Sequence, residues 1–491
     1  MEFNTIPSGP VLDRGTMHSA TDPADFPARD ARSSPAEAKA PEQRERFPFL
    51  TKLVLISLLI PAYFSVGSLA LSPSRLLFLV IVPILTINLL RGAYGRLLAT
   101  DYLIFGFAAW MTLAMLANHT PGVAIEYTGS RTIVILGGYL TARATIRSKA
   151  AFVAMIRFLA LAVLVTLPFA LHEVITSKPL ISNWLAQLPG ISSNVDINHD
   201  PRLGLWRAQV VFAHPIHYGI FCSMAFSLVY VGLADRMGWF RRAITSGLIG
   251  LCCFFSVSSG PVLALAAQLG LIGWGAALRG TVHRWTILWS SALVLYIIAE
   301  LASNRGAIYV IVSKISFSSS TAFARRILFN YGVDQIGRTP VFGLGYKPMP
   351  LPHWMTGSVD NFWLFVAVRF GMPAFLLLAA AFLVAVIVAG RRDFSADPEL
   401  YPLRRAWIFT IVSLILVLAT VAIWGELYSL VMFMLGSGMW FLTVAPKKQI
   451  AASETAKADP KRSSRYTRFA ESGRRHDRGL PVSGNTVTRG R

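Results

Sequence analysis

Apolar runs of about 20 residues recur along this chain between about 49 and 445, parted by short polar turns. About 20 mostly apolar residues, each rising 1.5 Å in a helix, cross the hydrocarbon of a bilayer. The pattern therefore predicts an all-α polytopic membrane protein with about twelve transmembrane helices. The expected spans are 49–70, 74–90, 101–118, 122–141, 151–171, 208–234, 243–259, 261–279, 285–302, 361–390, 403–423 and 426–445. The runs are continuous, not alternating segments of about ten residues, which argues against a β-barrel. Between the seventh and eighth runs, Gly260-Pro261 marks either a turn or a break within one re-entrant unit. Two interruptions are long, at 171–207 and 302–360.

The ends of the chain differ from its middle. Residues 1–48 are rich in Pro, Ala, Ser and charge, with no periodic apolar pattern, and read as a disordered tail. Residues 446–491 are basic and Ser-rich and read the same way. No signal-peptide core stands in the first few tens of residues.

Charge gives the helices a direction. Arg and Lys concentrate in alternate connections: Arg91 and Arg96; Arg143, Arg147 and Lys149; Arg236, Arg241 and Arg242; Arg279 and Arg284; Arg391, Arg392, Arg404 and Arg405; then the C-terminal tail. The other short turns, near 71–74, 119–121, 260 and 425, are almost free of them. Basic loops stay in the cytoplasm. Both tails are thus expected to be cytoplasmic, and the two long interruptions to form outer loops.

Composition changes little in this picture. With 54% hydrophobic and 14% charged residues, the chain is not a set of soluble domains. Its net charge of +21 lies largely in the basic turns and the C-terminal tail, so no nucleic-acid partner is expected. Cys222, Cys252 and Cys253 lie inside apolar runs and read as small buried hydrophobes, not as disulfides or metal ligands. No Walker loop and no His-Glu-x-x-His signature occurs.

Candidate chemistry gathers at the outer boundaries. Arg202 and Arg207 close the first loop, and His214 and His217 follow at the start of the sixth run. A guanidinium presents a planar fork of donors that matches phosphate oxygens. Such a cluster at the lipid interface suits the pyrophosphate of a lipid head group; the plain alternative is that the arginines snorkel to the surface. The two histidines, three apart on one face, lack an evident third metal ligand and fit helix packing or a hydrogen bond to the loop. In the second loop, 323–336 has helical periodicity and carries Arg325 and Arg326, while Gly343 and Gly345 allow a close backbone approach. His353, Asp360 and Asn361 stand before the tenth run. Asp360 reads as a general base or as the helix N-cap, and His353 as a rival base or a solvated loop residue. Arg131 lies inside the fourth run, with Glu126 farther out, and either reaches the donor or forms a structural pair. Glu426 and Asp101 read as boundary residues, and Ser256, Ser258 and Ser259 as helix-packing groups or partners for broken backbone.

Three stretches together resemble the O-antigen polymerase/ligase superfamily of bacterial polysaccharide assembly. They are Arg207 with His214-Pro215 and Gly219; Arg326 through Gly337, followed by Pro340-Val341-Phe342-Gly343-Leu344-Gly345-Tyr346; and Asp360-Asn361-Phe362-Trp363-Leu364 with Arg369-Phe370-Gly371-Met372-Pro373. The likeness covers about 50–445. It implies a metal-independent membrane glycosyltransferase, without cofactor, at the periplasmic face of the bacterial inner membrane. The donor would be a polyprenyl-diphosphate-linked glycan, its pyrophosphate held by Arg207 and by Arg326 or Arg325. Ligases that resemble this chain carry His-Asn before the tenth span, whereas Asp360-Asn361 stands here. The expected function is therefore polymerisation of lipid-linked repeat units in exopolysaccharide or O-antigen biosynthesis, with a second lipid-linked glycan as acceptor. Partners would be membrane lipids and a chain-length regulator at the tails. The alternatives are an O-antigen ligase acting on lipid A core, and a twelve-span transporter or flippase of lipid-linked sugars. A transporter would place its polar site at the bilayer midplane between related halves, and no internal repeat is visible.

Overall fold

The first apolar run does not form one helix. Its helix α1, Phe49–Leu58, stops after 10 residues, two residues short of Ile60-Pro61. Pro61 has no N–H to give to a helix and its ring crowds the preceding turn. The chain turns instead into a short antiparallel hairpin, β1 (Phe64–Val66) with β2 (Leu69–Leu71), in which Phe64 pairs with Leu71. The computed structural model describes residues 47–66, 69–195, 200–302, 319–352 and 360–445. The tails, and the candidate His353, lie outside the described residues.

Each expected run holds a helix, and the two long interruptions hold one more each. They are α2 (Pro73–Leu90), α3 (Ala99–Asn118), α4 (Pro121–Thr145), α5 (Lys149–Thr176), a short α6 (Leu180–Leu185), α7 (Pro215–Tyr230), α8 (Trp239–Phe254), α9 (Ser259–Ala277), α10 (Arg284–Ala302), α11 (Ser319–Arg338), α12 (Phe362–Arg391), α13 (Leu400–Leu418) and α14 (Gly425–Ser437). The protein is thus a helical, membrane-type bundle. Among the described residues, eight helices are long and apolar enough to cross a bilayer, counting α14 with the 3₁₀ turn that follows it. Four of the twelve expected spans fall short of that length and apolarity. α1 is too short, α4 carries Glu126, Arg131 and Arg143, and α7 and α8 have 16 residues each.

Local signals explain the shifted boundaries. α7 begins at Pro215, not at 208, because His214 caps it: its Nδ1 accepts from the Ile216 N–H at 3.1 Å, and Pro215 fits the first helical position. α5 runs on to Thr176, so the first long interruption spans 177–214 and contains α6. The break between α8 and α9 falls at Phe255–Ser258, before Gly260-Pro261, since proline in a first turn costs no hydrogen bond. The expected helix at 323–336 is part of α11.

Two close approaches set the site in place. The bare Cα of Gly138 on α4 lets the Ser429 carbonyl of α14 come so near that a Cβ would lie 2.1 Å from it, and the Ser429 hydroxyl donates to the Val134 carbonyl at 2.9 Å. Small residues allow such helix contacts in membranes. Within α12 the helix breaks at Gly371, φ 83° and ψ 170°. The loop with Gly343 and Gly345, expected to approach backbone closely, docks on this kink: Leu344 N–H donates to Val368 O at 2.8 Å, Gly345 N–H to Arg369 O at 2.9 Å, and Met372 N–H to Pro340 O at 2.8 Å.

The basic connections contact one another. Lys149 and Arg236 both pair with Glu399, Arg147 donates to Ala93 O, and Arg284 donates to the Tyr401 hydroxyl. Asp101 is fully buried in this group, not a boundary residue. It accepts from the Tyr139 hydroxyl at 2.5 Å and from Arg143 at 3.4 Å, and it closes the first turn of α3 by accepting from Leu98 N–H at 2.8 Å. The remaining connections form a second group. Tyr63 pairs with Ser192, Gln209 donates to Asn194 O, and His119 accepts from Tyr346 N–H at 2.7 Å.

Candidate functional site

Arg207 is drawn inward by its neighbours. A carboxylate in the last turns of α5, Glu173, is 1% exposed and accepts from the backbone N–H groups of Gln209 at 3.0 Å and Val210 at 2.9 Å. Trp206 N–H donates to Val174 O and Ala208 N–H to Phe255 O, so both sides of Arg207 are fastened. Its guanidinium, 5% exposed, faces the Ser256 carbonyl at 3.5 Å. Ser256 therefore acts through its main chain, while its hydroxyl satisfies Cys253 O.

The backbone here is held in a costly form. Val210 has φ 54° and Val257 φ 39°, and β-branched residues rarely accept positive φ. Leu203 and Gly204 also have positive φ, in the tight turn through which Arg202 and Leu205 exchange hydrogen bonds at 2.9 and 3.0 Å. Such strain costs about 1–3 kcal/mol per residue and gathers where a site must be shaped.

Arg202 lies within electrostatic reach of both Arg207 and Arg325, and Asp360 within reach of Arg325. Burial pushes the Arg207 guanidinium down to about 10, and the like charge of Arg202 adds to this. Arg325, on α11, is also lowered, first by burial; the Asp360 carboxylate works against that shift and Arg202 works with it. Three cations and one carboxylate from separate segments thus share one region. Arg326 is half-buried on the same helix.

Asp360 is not the cap of α12. The cap is Asn361, whose side chain accepts from Leu364 N–H at 3.0 Å. Asp360 stands just outside the helix, half-buried.

A cavity of about 590 Å³ opens beside this region. Arg75, Arg131, Arg369, Glu426, Tyr63 and Asn194 supply its polar wall, and Phe362, Phe365, Trp424 and Tyr428 much of the rest. Arg131 does not pair with Glu126, which is exposed; it stacks on Tyr127, its guanidinium carbon 3.6 Å from the ring centre. Glu426 is no mere boundary residue: it faces the cavity and accepts from the Tyr63 hydroxyl at 3.2 Å. Arg369 donates to Gly345 O at 3.0 Å and Lys347 O at 2.6 Å, tying the docked loop to the cavity wall. His214 and His217 pack against Trp424, their ring centres 5.8 and 4.0 Å from it.

Sequence reasoning missed Glu173, Arg75 and Arg369 as site residues. Arg75 carried a signal, being a cation in the first turn of an apolar helix beside a turn otherwise free of Arg and Lys. Glu173 carried a weaker one, a lone carboxylate at the end of a long apolar run. Compared with known protein families the chain matches none, and comparison with curated proteins finds no significant relative.

Proposed function

We propose that this protein is a membrane glycosyltransferase that polymerises polyprenyl-diphosphate-linked oligosaccharides, as in exopolysaccharide or O-antigen synthesis. It works at the periplasmic face of a bacterial inner membrane. The observation that carries this reading is that Arg202 brings together Arg207 of the first loop and Arg325 of the second, far apart in sequence, with Asp360 beside Arg325. Bringing like charges together and burying one of them is unfavourable unless an anion completes the site. A lipid diphosphate at the membrane boundary supplies that anion.

The chemistry then needs few parts. The acceptor hydroxyl attacks the anomeric carbon of the donor glycan and gives its proton to Asp360. The bond from that carbon to the diphosphate oxygen breaks, and the lipid diphosphate leaves with the bonding pair. Arginines aimed at the leaving group stabilise the charge as it develops. A positioned base contributes about 10²–10⁴-fold.

The test is reconstitution of the full chain in lipid bilayers with a polyprenyl-diphosphate-linked repeat unit. A ladder of longer lipid-linked glycans, with release of free polyprenyl diphosphate, is the expected result. Transfer that occurs only when lipid A core is added would make it a ligase instead. Movement of the glycan across the bilayer with no new glycosidic bond would make it a transporter.

A further inference from the structure

Each round of polymerisation engages two lipid-diphosphate-linked glycans: one lipid diphosphate leaves, and the other stays attached to the growing chain. The Arg202, Arg207 and Arg325 cluster accounts for a single anion. The cavity beside it is lined by none of these three residues. Its wall carries its own set of cations, Arg75 from α2, Arg131 from α4 and Arg369 from α12, against one carboxylate, Glu426 from α14.

The described wall of the cavity thus presents three guanidinium groups and one carboxylate. Glu426 accepts from the Tyr63 hydroxyl. Arg131 makes no hydrogen bond or ion pair among the described residues; stacking on Tyr127 fixes the plane of its guanidinium and leaves its N–H donors unused. A cation packed among the apolar helices of such a bundle normally faces a partner or a polar cavity. Here it faces the cavity, beside Arg369 on the same wall, and its donor fork matches phosphate oxygens. The aromatic wall suits the faces of a sugar ring next to that phosphate. Phe362 lines the cavity, and Asp360, which acts on Arg325, stands two residues before it in the chain.

We infer that the cavity among α2, α4, α12 and α14 is a second phosphate-class anion site, which holds the diphosphate head of the acceptor lipid while the first cluster holds that of the donor. The assignment to an acceptor rests on the function proposed above; the anion site itself does not. Asp360, between the two diphosphates, is then placed to take the proton of the acceptor hydroxyl.

Equilibrium binding of radiolabelled inorganic pyrophosphate to the purified full chain tests the site. Two pyrophosphates per chain are expected for the unaltered protein. Arg131→Gln, which removes no hydrogen bond within the described protein, should bind one, or bind the second at least tenfold more weakly. Arg207→Gln should lose the other. Two undiminished sites in Arg131→Gln, or a single wild-type site that Arg207→Gln abolishes, would overturn the proposal. Competition identifies the source of the anion. Farnesyl diphosphate should displace label from the Arg131 site at tenfold or more lower concentration than unlabelled pyrophosphate. Equal potency would make it a site for free anions and overturn the acceptor assignment. Two-site binding without any glycan transfer would sink the polymerase reading and leave the site standing. Transfer that Arg131→Gln leaves at full rate, with two sites retained, would sink the site and leave the polymerase reading.

Discussion

Glu173 on α5 accepts the backbone N–H of Val210 at 2.9 Å, across a residue whose φ of 54° is unfavourable for valine. One buried carboxylate thus holds the segment that carries Arg207. In Glu173→Gln one of the two N–H donors, at Gln209 or Val210, meets an NH₂ instead of an oxygen. A buried donor left without its acceptor costs about 1–3 kcal/mol. The expected outcome is a lower thermal midpoint and faster protease cleavage within 202–214, with glycan transfer reduced. Unchanged cleavage would mean the strained segment is held by other contacts.

Arg207 itself should behave in the opposite way. Its guanidinium is pushed down to about 10 by burial, so its charge is a cost to the folded state at neutral pH. A shift of that size corresponds to about 3 kcal/mol. The folded group binds its proton less tightly than the unfolded one, so this cost is present at neutral pH and is relieved as pH rises through about 10. Arg207→Met should therefore keep or raise the thermal midpoint while abolishing transfer. The gain in stability over wild type should shrink above pH 10. A large loss of stability in Arg207→Met would make this arginine a structural residue.

Asp360 and Asn361 divide two tasks that adjacent polar residues could each perform. Because Asn361 is the cap, Asn361→Ala should cost about 1 kcal/mol of stability. Asp360→Asn removes the proposed base and keeps the shape; it should lower transfer by about 10²-fold or more, while any loss of stability reports the carboxylate's support of the Arg325 charge. Thermal unfolding and initial rates on both variants separate the roles. Equal rates for Asp360→Asn and wild type would remove Asp360 from the chemistry.

The buried network at the basic end gives a control away from the site. Asp101→Leu would leave Arg143 buried, 3% exposed, without its carboxylate, and would strip the acceptor from Tyr139. Breaking a buried pair on one side costs about 3–5 kcal/mol. The variant should lose yield and thermal stability. Pyrophosphate binding by the fraction that folds should be unaffected, since neither anion region includes Asp101.

The limits of reading this chain follow from how each feature is encoded. Every expected run yields a helix because length and apolarity are local. Arg131 stood out for the same reason, as one charge within an apolar stretch. Which of Asp360 and Asn361 caps α12 was not legible, because it depends on where the first turn finds its phase. The meeting of Arg75, Arg131, Arg369 and Glu426 was not legible either. It is set by α4 and α14 pressing together at Gly138 and by the docking of the 340–346 loop on the Gly371 kink. Asp101 and Glu426 looked alike at helix ends, yet one is sealed by Tyr139 and Arg143 and the other opens on a cavity. Their partners lie far away in sequence, so no local pattern distinguishes them.

The direction of the bundle is open to a direct test. Arg and Lys counts place the 93–96 and 391–399 connections in the cytoplasm and the 340–347 loop outside. The structure joins the basic connections through Glu399, and ties the loop to a different group through His119 and Arg369. Lys347 and Ala396 are both exposed, one in each group, and Cys222, Cys252 and Cys253 are all buried, so background labelling should be low. A membrane-impermeant maleimide applied to intact cells should label Lys347→Cys at once and Ala396→Cys only after the membrane is opened. The reverse pattern would put Arg207, Arg325 and Asp360 on the cytoplasmic side. A polymerase fed from the periplasm would then be untenable, because its donor cluster would face the wrong leaflet. Labelling of both from outside would break the grouping of connections itself, and with it the assignment of the two long loops to one face.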